Sequence, residues 1–236
     1  KPLAGNAAEA EAIVMAAKAA NVILVVGHVE RYNSVEENAK THIVKGEWGD
    51  ILTLSARRFS NFPTRIHDVG VLFDLTIHDV DVICYLVDSE VRTVFAIGGS
   101  SRNNLCEDHV NLVMGFEDGR IGLCETNWLT PMKIRDLSIT TTNCYINLNY
   151  LSQDIEILTS QFEDVDELNL YQPAMKVNKQ NISVEEREPL KNELVDFLGA
   201  ITEKRMPLVT GEEGLNAVKI VEAGLESLRS GSVVKL

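Results

Sequence analysis

Hydrophobic and polar positions follow two rhythms along this chain. Apolar residues recur every three or four positions in residues 6–20 (Ala10, Ile13, Val14, Ala17) and 34–46 (Val35, Ala39, Ile43, Val44), and again in PLKNELVDFLGAITEK from Pro189 and in GEEGLNAVKIVEAGLESLRSG. That spacing predicts amphipathic helices. Asn6 is placed to cap the first, Ser34 with Glu37 to form a capping box on the second, and Gly231 to close the last. Between residues 51 and 159 the period falls to two. Residues 51–60, 91–99, 109–116 and 120–129 alternate as half-buried strands do, and IRDLSITTT, CYINLNYL and DIEILT continue the pattern. Asp118-Gly119 supplies the positive-φ positions of a hairpin turn. Strands joined by hairpins predict a largely antiparallel sheet, one face packed on helices and the other polar or covered by a second copy.

Residues 22–26, VILVV, differ from the rest. An uninterrupted β-branched run is expected as a fully buried parallel strand, with neighbours on both sides. Helix 6–20 followed by this strand makes one unit of a doubly wound α/β domain, and one unit cannot make a sheet. Residues 1–33 therefore read as the remnant of a truncated dinucleotide-binding (Rossmann) domain, and 34–236 as an α+β domain built on the sheet. The chain begins at Lys1 rather than Met, which places its natural start upstream. Residues 161–187, polar and acidic with Tyr171, Pro173 and Met175, read as a loop.

Composition narrows the classes of function. A formal net charge of −13 argues against nucleic acid and anionic membrane as partners. No apolar run approaches the ~20 residues of a membrane span, and no secretory leader is visible. Cys84, Cys106, Cys124 and Cys144 contain no C-x-x-C pair, which argues against zinc and a redox dithiol. Three of them lie in apolar patterns, as expected of buried, reduced thiols in a cytoplasmic protein.

The candidate chemistry centres on FDLTIHDVDVICYL, residues 73–86. Helical spacing aligns Asp74, His78, Asp81 and Tyr85 on one face and turns Leu75, Val82, Ile83 and Leu86 to the core. An aspartate one turn before a histidine can accept its ring N–H and free the other nitrogen to take a proton. The competing reading is an ordinary exposed charge pair. His67-Asp68 with His78-Asp79 suggests the metal sites of HD phosphohydrolases, but those are all-helical and half of this chain reads as strand. His28, just beyond residues 22–26, stands where α/β proteins bind ligands, and Arg31 is expected in a structural ion pair. Trp128 and Tyr150 could stack on a sugar or fill core. Arg57, Arg58, Arg65, Lys133 and Arg135 cluster near the motifs of an acidic chain and could grip a diphosphate. Only one of the adjacent Arg57 and Arg58 can face a site.

Taken in order, Lys1-Pro2 before a helix, GHVERYN after residues 22–26, DLTIHDVDVICYL, WLTP before KIR, and EEGLNAVKIVEAGLESLRSG resemble the Gfo/Idh/MocA family of nicotinamide-dependent sugar oxidoreductases. The family's glycine-rich G-x-G-x-x-G loop and its ribose-gripping acid are absent from this sequence. The resemblance implies a second domain with a large open, mostly antiparallel sheet that builds the sugar site and the interface of a homodimer or homotetramer. It implies NAD or NADP as cofactor, with Lys1, Pro2 and His28 beside it. Lys1, Asp74 and His78 fall on the family's catalytic lysine, aspartate and histidine. Arg58, Arg65, Trp128, Lys133 and Arg135 become candidates for the substrate site, and no metal is implied. The loop RRFSNFPTRIHDVG is most similar to the branch that oxidises the 3-hydroxyl of UDP-N-acetylglucosamine or a related UDP-sugar. A non-catalytic sugar-binding or oligomerisation module of the same architecture is the alternative.

Overall fold

The computed structural model describes residues 1–63, 69–102, 106–162 and 175–236. Among them, helices α1 (Ala7–Ala20) and α2 (Ser34–Val44) precede strand β1 (Ile51–Asn61) and helix α3 (Ile77–Val87). Strands β2 (Val91–Gly99), β3 (His109–Phe116), β4 (Ile121–Asn127), β5 (Leu129–Thr141), β6 (Tyr145–Asn149), β7 (Asp154–Phe162) and β8 (Met175–Ser183) follow. Helices α4 (Pro189–Glu203) and α5 (Gly211–Ser230) and the short strand β9 (Val234–Lys235) complete the chain. The strands form one sheet in the order β8-β7-β6-β5-β1-β4-β3-β2-β9. Every pairing is antiparallel except β1 with β4, which run parallel. This is the α+β architecture with a large, open, mostly antiparallel sheet that the alternation predicts.

Helices α2, α3 and α5 cover one sheet face. Leu54 and Ala56 of β1, Leu112 and Met114 of β3, Cys124 of β4 and Leu137 and Ile139 of β5 point into that layer, all 2% exposed or less. They meet Ile83 of α3 and Val218 and Val221 of α5, and burial of each large aliphatic side chain contributes about 1.5–3 kcal/mol. Gly224 lets α5 approach β3: a Cβ there would stand 2.6 Å from Leu112 Cδ1. Thr210 and Glu213 form a reciprocal capping box that starts α5, and Gly231 ends it at φ 66°. The opposite sheet face is uncovered, with Ile97 62% and Ile121 45% exposed.

Four expectations are corrected. Residues 22–26 form no strand; only Val25 bridges to Thr210, and Val22 is 60% exposed, because among the described residues no strands flank this run. Asn33, not Ser34, caps α2, its side chain accepting from the Val35 N–H at 3.3 Å. The stretch read as a loop contains β8, an edge strand whose exposed Lys176 and Lys179 conceal its alternation and discourage further pairing. Of the four cysteines only Cys124 is fully buried; the others are half-buried.

One acid lies wholly inside this core. Glu36 is 0% exposed, accepts a hydrogen bond from the Tyr150 hydroxyl through Oε2 at 3.0 Å, and leaves Oε1 unpartnered. Burial, opposed by the Tyr150 bond and by Arg31, pushes its carboxyl up to about 8. The folded chain thus keeps a proton that the unfolded chain releases above the ordinary carboxylate range. Stability from this group is complete in acid and is lost as pH rises through about 8. Glu36→Gln should therefore melt like the parent at pH 5 and above it at pH 8.5, the gap widening with pH. Parallel melting curves across that range would place the titration elsewhere.

Candidate active site

The site is built where the start of the chain meets the helix that opens after β1. That helix begins with a π turn, Leu72–Thr76, in which the Ile77 N–H reaches back to the Leu72 carbonyl. A π turn adds a residue to the helical repeat, and such turns recur at functional sites. It also moves Asp74 and His78 out of ordinary i, i+4 alignment. The aspartate does not orient the histidine, as the sequence suggested. It faces Lys1 instead: the lysine ammonium donates to the Asp74 carbonyl and stands 3.5 Å from its Oδ1, with side-chain exposures of 16% and 25%.

His78 lies half-buried, its Nδ1 enclosed with no hydrogen-bond partner. Burial foremost, then the positive charges of Arg58 and Lys1, hold its imidazole well below the usual histidine range. It is neutral near pH 7 and can accept a proton. The Lys1 ammonium is likewise lowered, by burial first, while Asp74 works in the opposite direction. Lysine, aspartate and neutral imidazole are thus brought together from segments that are 73 residues apart in sequence.

The arginines separate into different roles. Arg57 lies on the open sheet face and pairs with Asp136 at 3.2 Å. Arg58 points under α3, is 2% exposed, and is no substrate ligand. Its Nε and Nη2 donate to the Asp79 carboxylate at 2.8–3.0 Å and its Nη1 to Glu30 Oε1 at 2.8 Å. Arg135 stands opposite Arg58 on β5, is partly exposed, and shares Glu30 at 3.5 Å. Lys133, two residues earlier on the same strand, is exposed. Both side chains reach the surface, Arg135 with its Glu30 partner. Arg65 lies outside the described residues, as do His67 and Asp68.

Two other assignments change. Trp128 is 1% exposed and packs edge-on against Phe62, 5.7 Å between ring centroids, so it is core and not a sugar platform. His28 is 1% exposed and cannot touch a cofactor from inside the domain. Arg31 makes the expected structural pair, donating twice to Asp81 at 2.7 Å. Glu30 and Asp79, which hold Arg58 in place, were missed from the sequence. Their signal was that Glu30 lies within GHVER and Asp79 directly follows His78.

A family profile for the GFO/IDH/MocA C-terminal domain matches residues 37–147. Residues 37–147 thus resemble the C-terminal domain of the Gfo/Idh/MocA family. The UDP-N-acetylglucosamine 3-dehydrogenase of Acidithiobacillus ferrooxidans is 24% identical over 214 residues, which cover 91% of this chain and 65% of that protein. The scyllo-inositol 2-dehydrogenase (NAD(+)) of Bacillus subtilis is 25% identical over 247 residues, all of this chain and 69% of that one. The chain therefore spans about two thirds of the length of these curated relatives, slightly less for the first. Among solved structures, the Acidithiobacillus enzyme superposes with a TM-score of 0.83 at 22% identity, over 98% of this chain and 70% of that one. The chain thus shares its fold with the Acidithiobacillus enzyme over nearly its whole length.

The Arg58 clamp is open to direct test. Arg58→Met strands two buried carboxylates and should cost about 3–5 kcal/mol in urea unfolding. Arg58→Lys should recover little, since an ammonium cannot serve both acids in this geometry. A loss below ~1 kcal/mol for Arg58→Met would show that the clamp carries little of the fold.

Proposed function

We propose that this chain forms the substrate side of an NAD(P)-dependent oxidoreductase that oxidises a secondary hydroxyl of a sugar, with a UDP-sugar such as UDP-N-acetylglucosamine and its 3-hydroxyl as the first candidate. The observation that carries this reading is the Lys1–Asp74 pair beside the neutral imidazole of His78. The described residues suit a nicotinamide partner: a neutral base and an ammonium stand together, as removal of a hydroxyl proton requires, and Lys1 and Pro2 would border the cofactor. When bound, NAD or NADP supplies the acceptor for the carbinol hydride.

His78 takes the hydroxyl proton through Nε2, because its Nδ1 is enclosed. Lys1 donates a hydrogen bond to the same oxygen and stabilises the negative charge that develops there. Asp74 holds the ammonium in place through its carbonyl and carboxylate. Arg135 and Lys133 lie on the same sheet face as Arg58 and attract the anionic part of a nucleotide sugar. A second copy of the chain covers the open sheet face around Ile97 and Ile121, giving a homodimer or homotetramer. Ile121→Glu should lower the mass measured by light scattering; an unchanged mass would place the contact elsewhere.

Turnover by the gene product over its full natural length, with UDP-N-acetylglucosamine and oxidised nicotinamide, tests the reaction. Formation of reduced cofactor should require both compounds. His78→Asn should slow it ~100-fold or more while leaving cofactor affinity close to the parent's. Nicotinamide binding without turnover would exclude this sugar, and no nicotinamide binding would favour the non-catalytic module.

A further inference from the structure

Two histidines meet inside the domain, and the reaction described above uses one. His28 is 1% exposed, and neither of its ring nitrogens has a hydrogen-bond partner. Its Nδ1 stands 3.9 Å from Asp81 Oδ2, too far for a hydrogen bond, and Asp81 is already held by both arms of Arg31. His78 Nδ1 is enclosed and unpartnered in the same way. The rings approach edge-on, 6.4 Å between centroids and 89° between planes. Each enclosed polar nitrogen left unsatisfied is a cost to the fold. Native interiors meet that cost with a partner or an ordered water. At this centroid distance no nitrogen of one ring can bond a nitrogen of the other directly, which leaves a bridging water as the group that would satisfy both rings.

We propose that a single internal water bridges His78 Nδ1 and His28, and that His28 is the positioning residue that sets the tautomer of His78 and takes up the proton it releases. This rests on His78 as the base of the proposed reaction. It also fills the role that Asp74, held by Lys1, does not perform.

The step balances as follows. Before reaction His78 carries its proton on Nδ1, donates it to the water, and presents a bare Nε2 to the substrate. As the substrate O–H bond breaks, Nε2 gains that proton and Nδ1 gives its own to the water. The water passes one proton to His28 and is itself unchanged. His28 becomes an imidazolium beside the Asp81 carboxylate, and His78 returns to neutrality.

The charges support this direction. Around His78 stand Arg58 of β1, Arg135 of β5 and Lys1, all cationic, so a lasting charge there is unfavourable. Around His28 stand Asp81 of α3, which favours a charge, and Arg31 and Lys1, which oppose it. Burial keeps both rings neutral at rest.

The test uses the full-length gene product labelled with ¹⁵N at histidine, together with its crystal structure at a resolution that reveals waters. In the parent, His78 should report a protonated Nδ1, and a water should lie within hydrogen-bond distance of both rings. His28→Phe should mix the two tautomers of His78 and lower kcat ~10-fold with little change in KM. It should also straighten the proton inventory, the dependence of rate on the deuterium fraction of the solvent, from a bowed curve to a line. His28→Gln keeps an acceptor but no base, so it should restore the tautomer while kcat stays ~10-fold low and the inventory stays straight. That split carries the test of the relay if the phenylalanine variant fails to fold; a parental rate in His28→Gln overturns the relay. A dry contact, or a His78 tautomer indifferent to His28→Phe, overturns the bridge. If the tautomer follows His28 while His78→Asn leaves turnover intact, the base assignment fails and the relay with it, but the bridge stands.

Discussion

The buried guanidinium of Arg58 is the constraint on which the rest depends. A charge 2% exposed at the centre of the sheet is tolerable only with carboxylates on it, and it has two, from different parts of the chain. Asp79 comes from the helix that carries the candidate base, and Glu30 from the turn that follows residues 22–26. The one side chain therefore fixes the helix over the sheet and ties the first thirty residues to both. Ion pairs of this kind add little stability over an apolar core of equal volume. Their use here is geometric: they admit one arrangement of three segments and penalise every other.

The same clamp shapes the electrostatics next to it. Arg58, Arg135 and Lys1 are all near His78, and their summed field, with burial, keeps that ring neutral. A neutral acceptor under a positive field is well suited to a step in which a hydroxyl acquires negative character, since the field stabilises the oxygen as the proton leaves. Glu30 and Asp79 prevent this concentration of cations from becoming a cost to the fold.

The strands from β1 to β7 were legible because each buries one face, which writes period two into the sequence, and α5 because its caps are local chemistry at both ends. The failures have physical causes. Strand β8 buries little, so nothing forces apolar alternation on it. Residues 22–26 carry a composition suited to a sheet interior, yet among the described residues no strand lies alongside and Val25 makes only an isolated bridge to Thr210. The π turn cannot be read from a repeat of 3.6, so the Asp74–His78 pairing that this repeat suggests dissolves while both residues stay at the site. Arg58 and Trp128 looked like ligands because arginine and tryptophan commonly are; only the three-dimensional supply of Asp79, Glu30 and Phe62 makes them interior.

The order of strands has a kinetic side. Strand β1 has no partner near it in sequence: Thr53 lies beside Ile121 on one edge and Ile51 beside Thr141 on the other. The β2–β4 group and the β5–β8 group can each assemble through short connections, whereas β1 must be closed in from both sides across long loops, the kind of contact that slows folding. Arg58 rides on that strand. A chain that has formed both outer groups still lacks the seam between them and, with it, the Arg58 clamp beside the site.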